Sequence, residues 1–361
     1  MTTLRRPTSL FMCSDKTDVL AAIISHLLVV FALLGCAGPQ DSAPPLTIRG
    51  NTMGTTFTVK IADEYLKAGV DNQTLDSAIN KLLEEVNRQM STYLPDSEIS
   101  TFNQSSQSDW FGISDDFAKV LQQSLLISEM SGGAFDITVG ALVDLWGFGP
   151  GQKPPTLPAD EVIDRLKARI GYQKISVRLA PPAAKKTNPD IHCDLSAIAK
   201  GFGVDKVAEY LQTMGVSNYM VEIGGEVRTK GFNASGQTWR IGVESPDTPS
   251  GIEKVLAIRD RAMATSGDYF NYFEVDGVRY SHTIDPRTGR PITHKLASVT
   301  VIHSSCTLAD GLATAINVLG PEAGYEFAQQ RELAIYMIVR EGDGFGEKMT
   351  PQFEKFLAGS N

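Results

Sequence analysis

The stretch from Tyr219 to Ile302 restricts the fold most: short β-type runs broken by Gly, Asp and Pro follow one another there with no helix-length apolar period between them. Antiparallel strands can be joined by tight turns, whereas parallel strands need long crossovers, usually helices. A largely antiparallel sheet is therefore expected. Helices are expected where apolar residues recur at helical spacing: 75–90, through Ile79, Leu82, Leu83 and Val86; 115–131, stopped by Gly132-Gly133; 158–169; 197–214; 308–319; and 322–330. The alternating run 55–61 predicts a strand, 174–194 reads as extended, and a strand over 333–339 closes the chain. Strands and helices mix without a steady βαβ rhythm, so the expected class is α+β with helices flanking the sheets. At 42% apolar and 21% charged the chain can bury a full core, and no linker divides it after residue 46. Residues 47–355 are read as one catalytic domain.

The N-terminus has a different character. Residues 19–35 form an apolar run preceded by Arg5, Arg6 and Lys16, and the run ends in Leu33-Leu34-Gly35-Cys36. This is the pattern of an export segment over 1–35, with a retained signal anchor as the rival reading. LLGC resembles the lipobox of bacterial lipoproteins, which would place lipid on Cys36. A Pro-rich tether over 36–46 would then hold the domain off a membrane. The expected location is the bacterial cell envelope, lipid-anchored and facing the periplasm. A net charge of −9 argues against nucleic acid as a partner. Cys193 and Cys306 could be bridged or could be two buried thiols.

Three stretches carry candidate chemistry. In Asp194-Leu195-Ser196-Ala197-Ile198-Ala199-Lys200-Gly201-Phe202-Gly203 an extended segment meets a helix. The helix start offers N–H groups to phosphate, Lys200 adds a mobile cation and the glycines permit close approach; a capped helix with packing glycines would look the same. Asp310 and Thr314, at i and i+4, share a helical face and suit a hard cation such as Mg²⁺. The helix dipole and back-bonding of the threonine explain the same pair without a metal. In Tyr280-Ser281-His282-Thr283-Ile284-Asp285-Pro286-Arg287-Thr288-Gly289, a tight turn accounts for Asp285, Pro286 and Gly289 and leaves His282 as a candidate general base or a structural histidine. Glu222-Ile223-Gly224-Gly225-Glu226 and Thr265-Ser266-Gly267-Asp268-Tyr269 are glycine-containing strand ends where backbone can meet a ligand.

In this order, and together with Met53-Gly54-Thr55-Thr56-Phe57, Ser91-Thr92-Tyr93, Ser97 to Asn103 and Gly133-Ala134-Phe135-Asp136-Ile137-Thr138-Val139-Gly140, these stretches resemble the ApbE family of FAD:protein FMN transferases over about residues 50 to 340. The resemblance implies a two-lobed, T-fold-related α+β domain with FAD as substrate in the cleft. It implies that Met53, Tyr93, Ala134, Phe135, Asp136, Asp194, Lys200 and Thr283 line the flavin nucleotide. Magnesium would be held by Asp310, Thr314 and the backbone carbonyl of Ala197, and the acceptor's proton would pass either to His282, the candidate catalytic base, or to a metal-bound water. Some relatives carry a side-chain oxygen at the position of Ala197, so only a carbonyl ligand is available there. The implied reaction cleaves FAD and joins FMN by a phosphoester to a Thr or Ser of another protein, an acceptor subunit of a membrane redox complex, releasing AMP. Two rivals keep the same site: an FAD pyrophosphatase, and a lipoprotein that binds FAD without turnover.

Overall fold

The computed structural model describes residues 45–63, 71–151, 157–246, 251–268, 271–342 and 344–357. The expected export segment and Cys36 lie outside these residues. Leu46, placed at the end of the tether by sequence, already belongs to the first strand.

In chain order the first elements are β1 (Leu46–Thr52), β2 (Thr55–Ile61), α1 (Asn72–Met90), α2 (Glu98–Gln104), β3 (Phe111–Gly112), α3 (Asp115–Met130), α4 (Gly140–Leu145), α5 (Asp160–Lys167), β4 (Ile175–Leu179) and β5 (Pro182–Lys186). Then come α6 (Ala199–Thr213), β6 (Tyr219–Ile223), β7 (Glu226–Lys230), β8 (Trp239–Glu244), β9 (Ile252–Ile258), β10 (Ala262–Gly267), β11 (Tyr272–Val275), β12 (Val278–Ser281), β13 (Ile284–Asp285), β14 (Arg290–Pro291) and β15 (Leu296–His303). The chain closes with α7 (Cys306–Leu319), α8 (Ala323–Gln330), β16 (Ala334–Glu341), β17 (Gly344–Met349) and α9 (Pro351–Glu354).

The main sheet has eight strands in the order β1-β2-β6-β7-β10-β15-β16-β17, every neighbour antiparallel. One face is covered by helices: α1 turns Leu75, Ile79, Leu83 and Val86 inward, while α3, α6 and α7 meet a core that includes Phe117, Leu121, Val204, Leu312 and Ile316. The opposite face carries a second apolar cluster, built from Met220, Val227 and Met263 of the sheet with Trp239, Ile241 and Val243 of the two-stranded β8–β9 sheet. The antiparallel expectation for 219–302 holds in each of these pairings.

The sheet carries a notch. β7 pairs with β10 only through Ala262 opposite Arg228 and Met263 opposite Val227, whereas β10 pairs with β15 along its whole length to Gly267. β6 and β7 turn back at Gly224-Gly225, so Ala264–Gly267 runs past that turn with no strand paired on its β7 side among the described residues.

Candidate active site

Two helices meet beside the notch. Gly201, in the first turn of α6, touches the start of α7 so closely that a Cβ there would lie 2.4 Å from the carbonyl oxygen of Cys306 and 2.8 Å from Cβ of Asp310. Only glycine permits that approach. The Gly201 N–H donates to Asp310 Oδ2 at 2.9 Å, which holds one carboxylate oxygen of Asp310. α7 is fixed in turn by Asp205 of α6, which accepts from the N–H groups of Cys306 and Thr307, from the Ser305 and Thr307 hydroxyls, and from Arg228 at 2.6 Å. A carboxylate at a helix N-terminus satisfies free N–H groups and complements the helix dipole.

A cavity of about 790 Å³ opens at this crossing, a size within the range of ligand pockets. Tyr93, Ala134, Phe135, Asp136, Asp194, Ala197, Lys200, His282, Thr283, Asp310 and Thr314 all line it, so every site residue expected from sequence but Met53 comes to one place. Met53 sits in the β1–β2 turn with φ +50°, packed against Gly203, one turn beyond Lys200 on α6. The cavity also touches Met220, Val227 and Met263 from the opposite side of the sheet, and so passes through the notch.

Lys200 is anchored rather than mobile: its Nζ lies 2.6 Å from Oε2 of Glu226, which is buried. Burial works against the ammonium, but the carboxylates of Asp310 and Glu226 outweigh it and hold Lys200 above its ordinary value. Burial pushes the Glu226 carboxyl up to about 8 and also raises Asp310, against the pull of Lys200 on both. One ammonium thus serves two buried carboxyls, and the cavity floor is short of positive charge. Glu226 was noticed in the sequence only as part of a glycine-containing strand end; its pairing with Lys200 depends on how α6 lies on the sheet, which local sequence does not encode.

The remaining predicted residues divide by what their side chains touch. Burial raises the Asp136 carboxyl, whose two oxygens accept from the Thr138 N–H (2.8 Å), the Thr138 hydroxyl (2.7 Å) and the Tyr172 N–H (2.8 Å). Asp194 caps a local turn through the Ser196 N–H at 2.7 Å. Tyr93 is 60% exposed and stands at the cavity mouth. His282 closes an aromatic row: its ring meets Phe148 edge-on, Phe148 stacks on Phe273, Phe273 on Tyr280 and Tyr280 on Trp146. Its Nδ1 lies 3.0 Å from the carbonyl oxygen of Asn271.

A magnesium ion would fit this floor. Among the described residues no group of three or more His, Cys, Asp or Glu comes together that could hold a metal unaided. Asp310 nevertheless has a second carboxylate oxygen beyond the one Gly201 holds, and it lines the cavity together with Thr314, four residues further along α7, where positive charge is wanting. Mg²⁺ takes oxygen donors and is commonly held by one or two carboxylates together with water and substrate phosphates.

The family model described as "ApbE family" matches residues 53–337. The chain belongs to the ApbE family. Among curated relatives, the FAD:protein FMN transferase of Vibrio cholerae is 45% identical over 333 residues, covering 92% of this chain and 98% of that protein. The FAD:protein FMN transferase of Escherichia coli K12 is 40% identical over 342 residues, covering 92% and 97%. Among solved structures, the flavin transferase ApbE from Vibrio cholerae superposes with a TM-score of 0.80 at 45% identity, covering 87% of this chain and 99% of that one. The apo form of Pseudomonas stutzeri flavinyl transferase ApbE gives 0.80 at 37% identity, covering 87% and 96%. The α+β fold with largely antiparallel sheets is thus the ApbE fold.

Proposed function

We propose that this protein is a flavin transferase that cleaves FAD and attaches FMN through a phosphoester to a Thr or Ser hydroxyl of another protein, releasing AMP, with Mg²⁺ as its cation. The observation that carries this reading is the convergence, in one cavity, of Lys200, Asp310, Thr314 and a histidine whose Nε2 has no hydrogen-bond partner among the described residues, in a chain of the ApbE family. Asp310, Thr314 and the carbonyl of Ala197 would hold the cation. When bound, Mg²⁺ supplies neutralisation of the pyrophosphate and stabilisation of the departing phosphate.

The chain's own groups do the rest. Lys200, held by Glu226, directs a fixed positive charge at the pyrophosphate without reorganising during reaction. The acceptor oxygen forms a bond to the flavin-side phosphorus as the bond from that phosphorus to the bridging oxygen breaks. The acceptor proton passes to Nε2 of His282, and AMP leaves with the bridging oxygen. The carbonyl of Asn271 orients the imidazole, and the aromatic row from Trp146 to Phe148 packs one side of it. The sequence of the first 46 residues supports attachment to the bacterial envelope through lipid on Cys36, facing the periplasm, and a membrane redox subunit as acceptor.

The test is to incubate the purified protein with FAD, Mg²⁺ and the exported domains of redox-complex subunits, then weigh those domains intact. An FMN-sized gain on one domain, abolished by EDTA and by Asp310→Ala, is the expected result. Free FMN and AMP with every domain unmodified would make the protein a hydrolase instead, and uncleaved FAD would make it a binder.

A further inference from the structure

Among the described residues, strand β8 has a free edge, and it runs along the cavity. It pairs with β9 alone, and β8 and β9 form a sheet of two strands among the described residues. Ala257, opposite Arg240, donates its N–H to the carbonyl oxygen of Phe356 at 2.8 Å, away from β8. In an antiparallel ladder, residues that face their partner with N–H and C=O alternate with residues that face away. Arg240 and Gly242 therefore turn both backbone groups outward, and among the described residues nothing bonds to them there.

The cavity meets that edge. Five consecutive residues, Arg240 to Glu244, line it, although Ile241 and Val243 are buried on one face while Arg240, Gly242 and Glu244 are exposed on the other. Successive strand side chains point to opposite faces, so a cavity that touches all five lies alongside the backbone edge. The β8 edge also belongs to the far side of the sheet, across the notch from Lys200, Asp310 and Thr314. The transfer reaction brings two substrates together in one cavity, a nucleotide and a polypeptide.

We propose, resting on the transferase reading above, that the acceptor protein docks by adding an extended segment to β8 as a further strand, which carries its hydroxyl residue into the cavity. Backbone hydrogen bonds along a free edge give affinity for any extended chain, and alternate side-chain positions give selectivity. The occupant is a polypeptide because the edge presents donors and acceptors at strand spacing. Gly242 is exposed at the middle of the edge, and the Ile252 side chain of β9 lies 3.3 Å from where a Cβ would stand, so the glycine keeps that face of the ladder low. Arg240 and Glu244, exposed on either side of it, select an acidic acceptor residue at one end and a basic one at the other.

The test modifies the acceptor and leaves the enzyme whole. A peptide is synthesised around whichever Thr or Ser carries FMN in the transfer assay, and then with single backbone N-methyl groups at successive positions. Blocking a strand hydrogen bond should lower acceptor kcat/KM about tenfold at alternate positions and leave it unchanged between them. Amide hydrogen exchange at Arg240 and Gly242 should slow with the peptide and not with FAD. An acceptor domain that is labelled while its peptide is not, N-methyl effects without a period of two, or protection by FAD alone or by enzyme concentration alone would each overturn the docking proposal. If no acceptor domain is labelled at all, the transferase reading fails, and the strand proposal falls with it.

Discussion

Asn271 offers His282 a carbonyl oxygen, which can only accept, so the imidazole proton sits on Nδ1 and Nε2 keeps its lone pair. Burial pushes the ring below its ordinary value, with the Asn271 bond and Asp268 opposing and Lys200 assisting. A base must be unprotonated to act, so depressed basicity keeps His282 competent at neutral pH. Transfer should fall only as pH drops through a value below the usual 6.5. His282→Ala should lower kcat by about 10²–10⁴ and remove that acid limb, measured as AMP release with saturating acceptor. The residue was visible in the sequence because the tight turn explained its neighbours and left it over. Its tautomer was not, since Asn271 lies eleven positions upstream and reaches it only through the β11–β12 hairpin.

At the level of elements, apolar periodicity located the long helices well: the expected 115–131 is Asp115–Met130, and 197–214 is Ala199–Thr213. It missed α2 and α4, which are seven and six residues long, less than two turns, too short for a period to show. It also missed β1, whose alternation directly follows a Pro-rich segment and reads as its continuation. What helical spacing could not supply is the crossing of α6 on α7, because that is set by the absence of one side chain. Gly201→Ala would place a methyl within 2.4 Å of the Cys306 carbonyl and force the helices apart. Overpacking of this kind costs about 1–3 kcal/mol. Urea unfolding should report that loss, and transfer should fall further than stability alone explains, because Asp310 moves with α7.

The whole molecule assembles its site from residues between Thr92 and Val318, which is why the pairing of Lys200 with Glu226 and the passage through the sheet were illegible from any one motif. Long-range placement also settles the cysteines. Cys193 and Cys306 are free, fully buried and in separate apolar clusters. Burial pushes the Cys193 thiol up to about 12 and raises Cys306 well above its ordinary range. Thiol reagent should therefore leave both untouched in the native protein and titrate both after denaturation, without reductant. The loop that carries Ala134, Phe135 and Asp136 into the cavity is pinned from within by the three bonds that Asp136 accepts. Because that wall is shaped by the protein's own hydrogen bonds, an arriving ligand need not order it, and the conformational entropy of the rim is surrendered at folding rather than at each catalytic cycle.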